Sequence, residues 1–296
     1  MTADAHGHYY VPSSSPWPLV GSIGLFLIAL GAANYINGST GGMYISFAGA
    51  AIIIIMLFGW FGAVVNESVA NLYNSQVDRS FRWGMGWFIF SEVMFFAAFF
   101  GSLFYVRVFV LPWLGGGDPG TQAYLWPMFD AQWPLLMPPG TETHIAHHAF
   151  DIPKQIVNAW GIPAINTLIL LSSGVTVTWA HWGLQKGNRN QLILGLFLTV
   201  ALGFLFLGLQ VYEYGHAIHE ENLTLSSGIY GSLFYMLTGF HGMHVTLGAT
   251  MLTVIFFRSL KGHFSTHNHF AFEAVAWYWH FVDVVWLGLF IFVYWI

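Results

Sequence analysis

Ionisable side chains inside long apolar runs are the residues of this chain that could do chemistry. Glu92 lies in the run FIFSEVMFF, and His280 and Asp283 lie in AWYWHFVDVVW near the end of the sequence. At about 1.5 Å of helix rise per residue, Glu92 is roughly 15 Å beyond Arg82, and Asp283 is similarly deep in its own run. A charge at that depth in a bilayer is costly unless it is protonated or paired, so both acids are candidates for function or assembly.

Two interpretations of Glu92 are open from the sequence. The first is an acid that handles protons or faces lipid, and the second is a protonated acid that is hydrogen-bonded to a neighbouring helix. The spacing of His280 and Asp283 predicts a pair along one helix face, in which each neutralises the other. Two further acids are expected in less demanding places: Glu213 close to water at the end of its run, and Glu273 within reach of head groups or a loop cation.

Histidines could form a haem or copper site. His241 and His244 lie one helical turn apart, and His280 is expected to face them from the last run. A haem between helices takes one axial histidine from each of two helices, so this arrangement is conceivable. The structural alternative, which we favour, is that buried imidazoles hydrogen-bond across helices and stabilise their packing. We therefore expect no metal ligand in this chain.

The elements that position these residues are membrane-spanning helices. Of 296 residues, 56% are hydrophobic and only 7% are charged, whereas about a quarter of a soluble domain is charged. This composition excludes an ordinary soluble enzyme. A net charge of -5 with dispersed cations argues against a nucleic-acid partner, and the lack of cysteine excludes disulfides and thiolate metal sites.

Seven apolar runs are long enough to cross a hydrocarbon core about 30 Å thick. Runs of this length must be helical, because lipid offers no hydrogen bonds to the backbone. They are Trp17–Tyr35, Met43–Val65, Trp83–Val106, Trp160–Trp182, Gln191–Tyr214, Ile229–Phe257 and Phe272–Ile296. The predicted fold class is an all-α integral membrane protein with seven transmembrane helices.

The connections between these runs predict the domain organisation and the sidedness. GSTGG alone joins the first two runs, which predicts a two-helix hairpin over residues 17–66 after a tail over residues 1–16. A five-helix bundle is predicted over residues 67–296, and its loop over residues 111–159, rich in Pro, Gly and Trp, is expected to be an ordered external cap or a partner-binding loop. Loop cations number six on one side and two on the other, so the positive-inside rule predicts a cytoplasmic N-terminus and an external C-terminus. The six are Arg79, Arg82, Lys186, Arg189, Arg258 and Lys261, and the two are Arg107 and Lys154.

Six motifs, taken in order, carry a resemblance to a known family. They are SPWPL (15–19), FIFSEVMFF (88–96), TWAH (178–181), SGIYGS (227–232), TGFHGMH (238–244) and AWYWHFVDVVW (276–286). With them the sequence resembles the cytochrome c oxidase subunit III family over essentially its whole length. The resemblance implies seven helices with the N-terminus on the cytoplasmic or matrix side. It also implies a cleft that separates the hairpin from the five-helix bundle and holds phospholipid.

The function that the resemblance implies belongs to a complex. This chain is expected to be a non-catalytic core subunit of a proton-pumping terminal oxidase, packed directly against subunit I and accompanied by subunit II and small accessory subunits. That complex reduces oxygen to water with electrons from cytochrome c. Members of the family carry no haem or copper, so those cofactors are expected in partner subunits, and phospholipid is the molecule expected to bind here. The size of the loop after the third run suggests a bacterial plasma membrane.

Several residues acquire an expected role from the resemblance. Glu92 matches the buried glutamate of the family's third helix, and Glu67 matches an acid that ends its second helix. A basic cluster directly after the sixth run, Arg258, Lys261 and His263, fits both charges that set topology and a lipid-phosphate site, and its two larger cations match family residues near bound lipid. The sequence departs from the family pattern at Asn66, where an arginine is common, which weakens one expected lipid contact.

Two alternative functions and one further role are compatible with the sequence. A quinol oxidase would use a corresponding subunit, but such subunits usually lack the first two helices, so seven runs favour cytochrome c as the donor. A transporter or proton channel would use Glu92 and Asp283. His6 and His8, with ordinary pKa values near 6.5, are hypothesised to collect protons for subunit I, the alternative being a tail without that role.

Overall fold

The computed structural model is helical wherever regular structure occurs among the residues it describes, which are 10–11, 14–127, 129–139 and 151–296. The α-helices are α1 (Trp17–Ile36), α2 (Gly41–Val69), α3 (Ser75–Tyr105), α4 (Pro119–Tyr124), α5 (Ile162–Gln185), α6 (Arg189–His219), α7 (Gly228–Leu260) and α8 (Phe270–Leu289). π-helical turns extend α3 over Val106–Val110 and Trp113–Gly117 and extend α8 over Phe290–Trp295. Seven of these helices, all except the short α4, are long and apolar enough to cross a membrane. The predicted fold class, an all-α multi-pass membrane protein, is confirmed.

Most of the helices are longer than the apolar runs that predicted them. The fifth run ends at Tyr214, for example, but α6 continues to His219. A helix does not stop where its side chains become polar, because its backbone hydrogen bonds continue into the interfacial layer. At the other end, the side chain of Asn188 accepts a hydrogen bond from Gln191 N at 3.2 Å and begins α6 two residues before the apolar run.

The chain divides into two compact units, residues 1–83 and 84–296. In the first unit α1 and α2 form a hairpin whose turn contains Gly38 at a φ of +88°. Glycines line the seam between the two helices and let their backbones approach closely. A Cβ on Gly31 would lie 2.6 Å from the carbonyl oxygen of Gly42, so neither position has room for a side chain. One side-chain bond also crosses the seam, from Ser46 Oγ to the Ile28 carbonyl at 3.3 Å.

In the second unit the best-buried side chains lie where α5, α6, α7 and α8 meet. Trp279 and Trp286 lie on one face of α8, and both are fully buried. Each indole donates a hydrogen bond to α5: Trp279 Nε1 to Ser173 Oγ and Trp286 Nε1 to Thr167 Oγ1, both at 2.9 Å. The Trp279 ring also lies against Gly248 of α7, where a Cβ would come within 2.7 Å of it. Large aromatic rings facing small residues therefore hold this unit together.

The connection between α3 and α5 belongs to the second unit, and its described parts are held by local and longer-range hydrogen bonds. Asp118 begins α4 by accepting a hydrogen bond from Thr121 N at 2.8 Å, and the Thr121 hydroxyl and amide hold the pKa of that carboxyl below its usual range. Further along, Lys154 N donates to the Glu221 carbonyl at 2.8 Å, and Thr224 donates to Asp151 at 2.7 Å. The last part of this connection is thus tied to the turn between α6 and α7.

Candidate functional site

The buried acid of α3 is paired with a histidine of α7. Glu92 Oε2 and His244 Nε2 are 2.7 Å apart, and His244 Nδ1 is 2.6 Å from the Phe240 carbonyl. A carbonyl oxygen only accepts, so Nδ1 donates to it, and the contact between Nε2 and the carboxyl holds one proton on one of its two atoms. Wherever that proton lies, the pair has no net charge. The rings of Phe95 and Phe96 enclose His244 with centroids 5.8 and 5.0 Å from its own.

This geometry contains the hydrogen bond to a neighbouring helix that was one of the two interpretations of Glu92. The Glu92 side chain is 21% exposed, against 6% for its partner, so part of the Glu92 side chain remains accessible. A proton-handling role for Glu92 therefore stays a prediction.

The pair at the centre of α8 faces α5. His280 Nδ1 lies 3.5 Å from Asp283 Oδ2, and His280 Nε2 lies 3.2 Å from Thr178 Oγ1. Asp283 is buried beside Gly174, and its Oδ1 has no hydrogen-bond partner in the described part of the chain. The His280 side chain is 45% exposed.

A groove of about 660 Å³ opens between α5 and α8 at this pair. Apart from His280, Asp283 and two threonines its lining is apolar, with Val175, Trp179 and Val284 among the walls. The groove thus presents a small set of polar side chains in an otherwise apolar surface.

The structure does not bring the three candidate haem ligands together. His241 Nε2 donates to the Val282 carbonyl of α8 at 3.2 Å, His244 bonds Glu92, and His280 bonds Thr178. The expectation that His280 faces His241 and His244 is wrong. The reason is helix rotation: position 280 lies toward α5, whereas Val282 lies toward α7.

The predicted basic cluster lies at the end of α7, as its three positions in sequence require. Arg258 is buried, its guanidinium carbon is 4.6 Å from the Phe264 ring centroid, and its Nε and Nη2 have no hydrogen-bond partner among the described residues. His263 N donates to the Arg258 carbonyl at 3.1 Å, and Lys261 is exposed. Both guanidinium nitrogens are buried within the chain, and the lipid-phosphate role of the cluster stays a prediction.

Glu67 lies at the end of α2 and already has a partner. It accepts a hydrogen bond from the Tyr73 hydroxyl at 2.7 Å, within the first unit. The pKa of Tyr73 is raised, mainly because the hydroxyl is shielded from water and, to a smaller extent, because it donates this bond to the Glu67 carboxylate. The Tyr10 ring lies 5.8 Å from Tyr73. A lipid-binding role for Glu67 stays a prediction, and His6 and His8 lie outside the described residues.

The prediction for Glu213 is wrong. It is only 2% exposed, and its Oε1 accepts hydrogen bonds from Tyr294 at 2.7 Å and Gln210 at 3.3 Å. The sequence places it one residue from the end of an apolar run, but the π-helical end of α8 brings Tyr294 over it.

Sequence reasoning also missed the surroundings of Glu273, whose carboxyl lies 3.3 Å from His269 and 3.6 Å from His181. The spacing of four residues between His269 and Glu273 was the available signal.

Comparisons with known proteins agree with this architecture. A family profile described as cytochrome c oxidase subunit III matches residues 6–124 and 121–296. The chain belongs to the cytochrome c oxidase subunit III family. Similar curated proteins named cytochrome c oxidase subunit 3 come from the dugong, at 40% identity, and from the hippopotamus and the antelope Damaliscus lunatus, each at 38%. Each alignment covers 100% of this chain and 99% of the relative. The family inferred from the six motifs is confirmed.

Proposed function

We propose that this chain is the non-catalytic subunit III of a proton-pumping cytochrome c oxidase, and that it stabilises the subunit that holds the catalytic centre. Its complex reduces oxygen to water with electrons from cytochrome c, and haem and copper belong to partner subunits. The family and the names of its relatives support the complex. The observation that carries the scaffold role is the half-exposed His280 with Asp283 in the groove between α5 and α8.

The groove supports a specific partner. A half-exposed imidazole such as His280 is costly in lipid at mid-membrane depth, and a neighbouring helix that packs over it removes that cost. The apolar walls of the groove fit side chains of such a helix. We therefore assign this groove to a transmembrane helix of subunit I that covers His280.

The experiment compares a groove variant with a matched surface variant. Val175 in the groove and Val211 on α6 are exposed to similar extents, 70% and 72%. Val175→Trp should reduce the amount of subunit I that co-purifies with the tagged chain, and Val211→Trp should not. Equal recovery from both variants would remove the groove assignment. An optical and metal analysis of the chain after its release from the complex tests the wider proposal, because haem or copper at one equivalent in the free chain would overturn it.

The lipid and proton roles are part of the same proposal. Phospholipid is proposed to bind at Arg258, Lys261 and His263 through its phosphate, and Glu92 is proposed to support proton uptake by the complex. The position of these three basic side chains at the end of a membrane-spanning helix supports the first, and the shared proton of the Glu92–His244 pair supports the second. Arg258→Met should lower the phospholipid retained by the purified complex, and an unchanged phospholipid content would remove the lipid role. Glu92→Gln should slow proton uptake in vesicles, and an unchanged rate of uptake would remove the proton role.

Sidedness is proposed from the charges. The six-to-two distribution of loop cations supports an N-terminus in the cytoplasm and a C-terminus outside, and the long connection after α3 supports a bacterial plasma membrane, although the relatives named above are mammalian. The chain contains no cysteine, so single cysteines report cleanly. Leu225→Cys should react with a membrane-impermeant thiol reagent in intact cells, and Lys186→Cys only after the membrane is opened. The reverse pattern would invert the topology.

A further inference from the structure

Three potential metal ligands converge where α5 ends and α8 begins. His181 lies in the last turns of α5, while His269 precedes α8 and Glu273 lies in its first turn. Glu273 Oε1 is 3.3 Å from His269 Nε2 and 3.6 Å from His181 Nε2, and the three ligand atoms all lie within 4.8 Å of one another. The side chains of Glu273, His269 and His181 are 14, 12 and 23% exposed, so the cluster is largely shielded from water. None of these contacts has a part in the proposed function.

The hydrogen bonding of His269 fixes which of its nitrogens faces the cluster. His269 Nδ1 is 3.0 Å from the Ser265 carbonyl, which can only accept, so Nδ1 carries a proton and donates it. In the neutral ring the lone pair of Nε2 then points toward the Glu273 carboxylate, which is also an acceptor. Two acceptors at 3.3 Å repel unless a cation lies between them, and that cation is either a proton or a metal ion. A backbone carbonyl on the second ring nitrogen is also the usual support of a metal-bound histidine.

The separations of the Glu273 carboxylate from the two histidines fit a metal of the zinc class. Tetrahedral ligands at about 2.0–2.1 Å from Zn²⁺ lie about 3.3–3.4 Å apart. The separation of Glu273 Oε1 from His269 already has this value, and the separation from His181 exceeds it by a few tenths of an ångström. Two imidazole nitrogens and one carboxylate oxygen are ligands that zinc accepts, with a fourth position left for water. Gln185 Nε2, 3.3 Å from His181 Nε2, must turn its amide when the metal binds.

We propose that His181, His269 and Glu273 form a binding site for a divalent transition metal ion of the zinc class. The ligands are the Nε2 atoms of both histidines and a carboxylate oxygen of Glu273. The ion joins the end of α5 to the connection that leads into α8. This proposal departs from our expectation from the sequence that the chain holds no metal ligand. It is independent of the proposed oxidase function, since it needs only the folded chain.

The test is a zinc titration of the full-length chain in detergent, after treatment with a chelator, with bound metal measured by mass spectrometry. Wild-type protein should retain about one equivalent that Glu273→Gln and His269→Ala each lose. His267→Ala is the matched control, because it removes an exposed histidine of the same connection and should leave that equivalent in place. Equal zinc content in all four proteins would overturn the proposal.

A second measurement covers variants that fail to fold. X-ray absorption at the zinc edge of the wild-type protein should report two imidazole ligands and one carboxylate ligand at about 2.0–2.1 Å. A spectrum with water ligands only would show loosely associated zinc and would also overturn the site. Because neither measurement involves oxygen reduction, failure of this site leaves the proposed function standing, and failure of that function leaves the site standing.

Discussion

The two units of this chain solve the same packing problem in different ways. Between α1 and α2, glycines remove side chains from the seam and the backbones themselves come into contact. Around α8, tryptophan rings fill the space between helices and their indole nitrogens bond hydroxyl groups of α5. Lipid provides no hydrophobic force that drives apolar helices together, so close contact and interhelical hydrogen bonds must supply the stability. The hairpin relies mainly on the first, and the second unit uses both.

The difference has consequences for substitution. A seam of glycines has no room for a larger side chain, whereas a seam of large rings is destabilised when a ring is removed. Four experiments test this contrast, each measured as the free energy of unfolding of the full-length chain in mixed micelles.

Trp279→Ala should have the largest effect. It removes a fully buried ring and the hydrogen bond to Ser173, and truncation of a buried aromatic residue costs about 3–5 kcal/mol. Trp182→Ala is the control, because that ring is 54% exposed and should contribute little. Equal losses from both would mean that burial in α8 is not the source of stability.

Gly42→Ala should come second. The added methyl would meet the α1 backbone beside Tyr35, and overpacking of this kind costs about 1–3 kcal/mol. Gly62→Ala, on the same helix, has nothing within 4 Å of the new methyl and should cause no loss. If the two variants were equally stable, the glycine seam would not depend on backbone contact.

The Glu92–His244 pair should contribute a moderate coupling. A double-mutant cycle with Glu92→Leu and His244→Leu isolates the pair, and polar interactions in membrane proteins give about 0.6 kcal/mol on average and about 1.7 at most. A short contact enclosed by phenylalanine rings belongs at the upper end. A coupling of zero would argue that the 2.7 Å contact does not hold α3 to α7.

Ser46→Ala should have the smallest effect. Its bond to the Ile28 carbonyl is long, at 3.3 Å, and is a side-chain bond within a seam made by glycines. A loss of about 0.6 kcal/mol or less is expected. A loss as large as that of Gly42→Ala would mean that the hairpin relies on polar bonds after all.

Features that depend only on the length and order of segments along the sequence were predictable. Run length and the need to satisfy the backbone predicted the seven membrane helices, and the short GSTGG connection predicted the α1–α2 hairpin. Six ordered motifs predicted the family.

Features that depend on helix rotation were not predictable. Glu92 and His244 are 152 residues apart, and nothing in either run indicates that their faces meet. The same is true of His181, which lies far from Glu273 in sequence but on the adjoining end of a packed helix. Glu213 was misplaced because a helix end looks exposed until another element covers it, in this case Tyr294. Spacing within one helix predicted only pairs along that helix, such as His280 with Asp283.

The unequal lengths of the helices set how the protein meets bilayers of different thickness. At 33 residues α7 is about 50 Å long, while α1 with 20 residues is about 30 Å, close to the hydrocarbon thickness of an average bilayer. A thicker membrane therefore exceeds the reach of α1 before it reaches the ends of α7. Of these two helices α1 is the one whose fit depends more on lipid chain length, so lipid composition should act on it first.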